Sequence, residues 1–167
     1  GWVRVVDTGR LAQSPADFGE AWIGHRGRVT ALAWCPTRPL LASAAADSTI
    51  RLWNSETHAL VARLDRHWGK VFALTFSPDG QCLASGSDDT TIRIWDSDGG
   101  DDLTQLRGHE GYVYSLAFSP DGSMLVSGSG GGTVRVRDTR PVHERWTARA
   151  AGGEGARLAP RGSTDVQ

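Results

Sequence analysis

Cysteine is scarce: Cys35 and Cys82 are the chain's only two, and neither belongs to a CxxC or a His-rich motif. That excludes a disulfide framework and argues against a zinc site, and it fits a reducing compartment, so a cytoplasmic location is the expectation. No apolar run approaches the length that spans a bilayer, and no signal peptide is visible, so no membrane partner is expected. Charge of one sign is missing too: 18 Lys and Arg face 19 Asp and Glu, a formal net charge of −1. Without a global basic field, nucleic acid is not expected as the main partner. Helical periodicity is absent from residues 25–138. An initiator Met is also lacking, which predicts a piece of a longer gene product.

Glycine, by contrast, fills 21 positions, and much of the chain repeats. His25, His67 and His109 are spaced by 42 residues, as are Ser43, Ser85 and Ser127, and Thr49, Thr91 and Thr133. Trp53 and Trp95 keep the same period, and Arg137 falls at the next step. Each unit reads as short strands. Val71 to Phe76 is one, closed by the turn Ser77-Pro78-Asp79-Gly80. Leu83-Ala84-Ser85 follows, then Thr91 to Trp95 with period-2 alternation, then a weaker strand from Leu103 to Leu106. Four strands per ~40–45 residues is the pattern of a propeller blade.

Gly108-His109, the Ser-Pro-Asp-Gly turns, Leu83 to Ser87 and Asp89 to Asp96 resemble the WD-repeat family over residues 24–138. The resemblance implies an all-β fold: a fragment of a WD-repeat β-propeller built from four-stranded antiparallel blades, with a short helical or disordered C-terminal tail. Residues 1–23 read as the end of a preceding blade, with Trp2 to Asp7 matching Thr91 to Asp96 and Ala21-Trp22-Ile23 as its outer strand. Repeats occupy 24–65, 66–107 and 108–139, the last degenerate at its end, and 140–167 form the tail. Pro141 could open a helix there, and the Gly-, Ala- and Arg-rich end reads as disordered. About three and a half blades cannot close a ring. The remaining blades are expected from the same parent chain, or from a second copy of this one.

The same resemblance implies a buried hydrogen-bond chain in each blade. Its members are His25, Ser43, Asp47 and Trp53 in the first set, and His67, Ser85, Asp89 and Trp95 in the second. In the third set His109 and Ser127 remain, while Gly131 and Arg137 replace Asp and Trp. Physics supports such a chain: an indole N–H only donates, a hydroxyl does both, and a carboxylate holds a histidine in one tautomer. A His–Ser–Asp set also names a hydrolase triad, but a triad occurs once per enzyme, and no GxSxG elbow exists. No catalytic role, cofactor or metal is expected. The acidic run Asp96 to Asp102 lacks the spacing of a calcium loop, and the glycines from Gly128 to Gly132 lack the lysine of a phosphate loop.

The resemblance further implies partner contact on the narrow rim, at the matching positions Arg26, Arg28, Trp68, Lys70, Asp88, Glu110 and Tyr112. These positions vary between units while the frame repeats, which leaves them free to serve other proteins or peptides. Trp34, Phe76 and Phe118 share one register and read as core between blades, and Cys35 reads as a small surface thiol at a turn. The alternatives are a propeller-type hydrolase, using His58 or His143, and nucleic-acid binding through the arginines of the tail.

Overall fold

The computed structural model describes residues 2–4 and 21–140. Thirteen strands in these residues form four antiparallel sheets. The first full sheet orders β3 (Val29–Trp34), β4 (Leu40–Ala45), β5 (Ile50–Asn54) and β6 (Leu60–Leu64) from one edge to the other. The second does the same with β7 (Val71–Phe76), β8 (Cys82–Ser87), β9 (Ile92–Asp96) and β10 (Asp102–Leu106). The third has three strands, β11 (Val113–Phe118), β12 (Met124–Ser129) and β13 (Val134–Asp138). A short pair precedes them: β1 (Trp2–Arg4) lies antiparallel to β2 (Ala21–Ile23). No helix among the described residues is long and apolar enough to cross a membrane. The expected helical or disordered tail from Pro141 onward, and the stretch from Gly9 to Gly19, lie outside the described residues.

The sheets stack face on face, each equivalent strand 42 residues after the last. One face of the first sheet offers Leu40, Ile50 and Leu52, and the second sheet covers it with Phe76, Leu83 and Trp95. The second sheet repeats the arrangement with Cys82, Ile92 and Ile94 beneath Val113, Leu125 and Phe118. Middle strands β4 and β8 are buried at all six residues, because each has a sheet on both sides. Small residues on the covered face let the next inner strand approach. A Cβ at Gly86 would stand 2.6 Å from Val113 Cγ1.

Both ends of the stack are open among the described residues. In the third sheet, Val134 and Val136 are 67% and 51% exposed, whereas Ile92 and Ile94, one repeat earlier, are almost fully buried. At the other end, Val3 and Trp22 pack with Leu41 and Trp53, and Val29 of the inner strand packs against them. Leu32 and Trp34, farther along the inner strand, are exposed, and this corrects the reading of Trp34 as core. Trp34 is 55% exposed while Phe76, its counterpart, is 7%. A second correction concerns Cys35, which is buried rather than superficial. It packs into the core between the first two sheets, with Sγ 3.7 Å from the Gly80 carbonyl.

Covered and uncovered copies of one position should differ sharply in energy. Ile92→Ala should lower stability by about 2–5 kcal/mol. Val134→Ala, at the equivalent place on the open face, should cost less than about 0.5 kcal/mol. Urea unfolding of both variants checks this, and equal losses would mean that the open face is covered in solution.

Candidate partner-binding rim

Hydrogen bonds tie the loop before each inner strand to the turn between the next two strands. In the second sheet the Trp95 indole N–H donates to Ser85 Oγ at 2.8 Å. Ser85 Oγ lies 2.8 Å from His67 Nε2, and His67 Nδ1 lies 2.7 Å from Asp89 Oδ2. An ionised Asp89 can only accept, so Nδ1 carries the proton and Nε2 accepts from the serine hydroxyl. Asp89 also accepts from the Trp68 and Thr91 backbone N–H groups and from the Thr91 hydroxyl. Burial pushes its pKa up, but the hydrogen bonds from His67 and Thr91 outweigh that, and the carboxyl stays well below the usual range.

The first sheet builds a looser version. Trp53 donates to Ser43, which meets His25 Nε2, each at 2.8 Å. His25 Nδ1 faces Thr49 Oγ1 at 3.2 Å and Asp47 at 3.4 Å. Burial raises the Asp47 pKa, yet bonds from Thr49 and the Arg26 N–H bring it down to about 2. Burial is also the main cause lowering the pKa of His25. In the third sheet His109 keeps Ser127 at 2.7 Å, and Thr133 Oγ1 lies 3.0 Å from its Nδ1. Arg137, in the tryptophan position, donates instead to the Arg107 carbonyl. Burial, then Arg137 and Arg135, lowers the His109 pKa. Thr49, Thr91 and Thr133 are the members that sequence reasoning left out of the network, although their 42-residue period was a visible signal.

The second set has the connectivity of a hydrolase triad, so its surroundings decide what it can do. Ser85 is fully buried, and its hydroxyl already takes the Trp95 indole. A nucleophile must reach a substrate carbonyl beside an oxyanion hole, which this serine cannot do. Among the described residues, no three His, Cys, Asp or Glu side chains are grouped to hold a metal. His58 sits against the ring of Trp22 at 5.1 Å, and His143 lies outside the described residues.

The ties set the shape of one rim. Backbone N–H groups of Ala46, Asp88 and Gly130 donate to the carbonyls of Arg28, Lys70 and Tyr112. The two loops are in close contact: a Cβ at Gly111 would stand 2.4 Å from the Gly131 nitrogen. Arg26, Arg28, Lys70, Glu110 and Tyr112 are exposed on this rim, and Asp88 is half-buried. Trp68 is 88% exposed, so it does not pack on a neighbouring loop.

Two residues absent from the sequence-based set complete the surface. Each inner strand carries a register shift just after its first valine, between Val29 and Ala31, Val71 and Ala73, and Val113 and Ser115. The shifted residue leaves the alternation. In the first sheet it is Thr30, which donates to the carbonyls of Ala44 and Val71. In the others it is Phe72 and Tyr114, whose rings lie 5.0 Å apart. Tyr112 joins them, 6.3 Å from Phe72 and edge-on to Tyr114 at 6.1 Å. The cluster therefore spans two sheets, with Tyr112 and Tyr114 each about half exposed. It does not include Trp68 or the arginines of the first loop.

The profile of the WD40 family, described as WD domain, G-beta repeat, matches residues 19–54, 59–96 and 100–138. Comparison with curated proteins finds no match.

The buried network sets two expectations. Ser85→Ala should destabilise by about 1–3 kcal/mol, since it strips partners from a buried indole and a buried imidazole. Ser127→Ala should cost less, because no indole depends on it. Lowering the pH should also unfold the chain by a defined route. Asp47 and Asp89 have depressed pKa values, so their contribution is present above the ordinary carboxylate range and is lost as pH falls through and below that range. His25, lowered from 6.5, acts in the same direction because its neutral form is the favoured one. Thermal unfolding from neutral pH downward should show Asp89→Asn with a flatter acid limb than the parent chain. An unchanged slope would exclude this carboxylate as a source of the acid sensitivity.

Proposed function

The chain belongs to the WD40 family of G-beta repeat domains, and from that premise we propose that it is a non-catalytic scaffold that holds a protein or peptide on the rim carrying Phe72, Tyr112 and Tyr114. WD40 repeats generally mediate protein–protein contacts, and their proteins are generally non-catalytic scaffolds. The observation that carries the reading here is the aromatic cluster, with rings 5.0 to 6.3 Å apart and two tyrosines half exposed. Large rigid aromatics lose little conformational freedom on binding and dominate interface energies. Trp68, Lys70, Asp88 and Glu110 flank the cluster on the same two repeats and would supply the polar margin. Arg26 and Arg28 extend that margin onto the first repeat.

The open end faces support a second part of the reading. Leu32 and Trp34 at one end, and Val126, Val134 and Val136 at the other, are apolar side chains whose counterparts inside the stack are more buried. Exposed apolar faces of this kind call for a cover. Further blades of a parent chain or a second copy would provide it, in a cellular compartment that keeps Cys35 and Cys82 as free thiols.

Panning a random peptide library on the whole chain tests the rim. Peptides that bind the parent chain should lose at least about thirtyfold in affinity to the triple variant Phe72→Ala, Tyr112→Ala, Tyr114→Ala, equivalent to about 2 kcal/mol. Val136→Ala, in mid-strand on the open end face, should leave binding unchanged. Peptides that ignore the triple substitution would remove this surface from consideration. Light scattering on the same chain separates the two covers: 17.9 kDa is the mass of one copy, and twice that value means that a second copy supplies it.

A further inference from the structure

A cavity of about 450 Å³ opens between the second and third sheets, at the strand ends opposite the aromatic rim. Its origin lies in two size differences between repeats. At the equivalent place between the first and second sheets, Arg38 and Leu40 fill the space. The Arg38 guanidinium donates to the Gly80 carbonyl at 2.9 Å, to the Ser97 hydroxyl and to Asp98. Leu40 is buried beneath it. One repeat on, Gly80 stands in the place of Arg38 and Cys82 in that of Leu40.

The acceptors that receive Arg38 nevertheless recur. The Gly122 carbonyl corresponds to that of Gly80, and the Thr139 hydroxyl to that of Ser97. Thr139 is buried and donates to Gly122 O, just as Ser97 donates to Gly80 O. Each hydroxyl oxygen can still accept, and each carbonyl keeps a second lone pair. Pro78, Ile94 and Phe118 supply apolar walls for an alkyl stem. The charge around the cavity is negative. Arg140 replaces Asp98, but Asp138 engages it through both carboxylate oxygens. Asp79 and Asp121 also line the cavity. Hydrogen bonds from Ser119 and Ser123 keep the Asp121 carboxyl at about 2, so it is ionised at neutral pH.

We propose that this cavity is a second binding site, which receives an arginine side chain from a peptide partner in the way the first repeat receives its own Arg38. The guanidinium donates to Gly122 O and Thr139 Oγ1, Asp121 supplies the countercharge, and the stem lies along Phe118 and Ile94. The site is independent of the aromatic rim and does not rest on it.

Amide NMR of the full chain, titrated with N-acetyl-arginine amide, tests the assignment. Saturable shifts are expected at Gly122, Ser123 and Thr139. The citrulline analogue has the same shape without the charge, and it should bind at least about tenfold more weakly, since charge-assisted hydrogen bonds are the stronger class. Cys82→Leu should abolish the shifts by refilling the space, and it should fold, because leucine already occupies the matching position in the first repeat. Asp121→Asn should weaken arginine but not citrulline. The proposal is overturned by non-saturable shifts, by equal binding of the two probes, or by binding that persists in Cys82→Leu.

Discussion

A serine hydroxyl that no solvent reaches is the point on which each full blade depends. It accepts a hydrogen bond from an indole on one side and donates one to an imidazole on the other. The imidazole is then oriented by a carboxylate that also accepts from one backbone N–H of the entry loop and one of the turn. Every group in this line would be costly to bury alone, and each is satisfied only because the next is present. The result links the third strand, the second strand, the entry loop and a turn of one sheet through side chains. Sheet pairing alone would leave the loop free to move relative to the turn. In the two blades where the line is intact, the loop backbone lies so close to the turn that a Cβ at Gly27 or Gly69 would stand 2.7 or 3.0 Å from the turn's backbone nitrogen.

Stacking does the rest, and it is directional. One face of each sheet is built from small or branched residues and the other from larger ones such as Leu83, Trp95 and Leu125, so a sheet fits onto its neighbour in one sense only. Such an arrangement has ends by construction. Within the described residues one such end is visible at Val134 and Val136, which are bare where Ile50, Leu52, Ile92 and Ile94 of the earlier repeats are buried. A head-to-tail interface closes when rotation brings the last face to the first, and otherwise continues to add units. The inference that further blades or a second copy cover these faces follows from the geometry of the interior interfaces, not from the hydrophobicity of the ends alone.

How far the sequence was legible depends on whether a residue obeyed a period. Strand positions such as Val71 to Phe76 were readable because packing on both faces imposes the 42-residue repeat and local alternation. Phe72 and Tyr114 were not singled out for the rim, because the register shift that turns them out is a backbone event with no side-chain signature. Thr49, Thr91 and Thr133 repeated plainly, but a threonine beside a strand is common for its β-propensity, and its hydrogen bond to the network leaves no separate trace. Cys35 and Trp34 failed for opposite reasons. Cys35 occupies a serine position at a turn, yet the neighbouring sheet closes over it. Trp34 occupies a core position, yet the described strands of the preceding blade stop short of it. Both depend on what lies beside the residue, which a single repeat does not encode.

The third repeat brings support and surface together. Replacing aspartate by Gly131 removes the carboxylate that clamps the entry loop, and Thr133 alone meets His109 there. The same run of glycines makes room: a Cβ at Gly130 would stand 3.0 Å from the Tyr114 ring. An aspartate-bearing turn like that of the second repeat, with Asp88 in the Gly130 position, would crowd this tyrosine and so disturb its contact with Phe72. Loss of the clamp and presentation of the aromatic pair are thus two consequences of one loop. Natural chains break a local rule where function needs the space, and stability elsewhere tolerates it. Here the intact second repeat is the neighbour that tolerates it, because Val113 and Leu125 dock on its fully buried face and hold the third sheet in place.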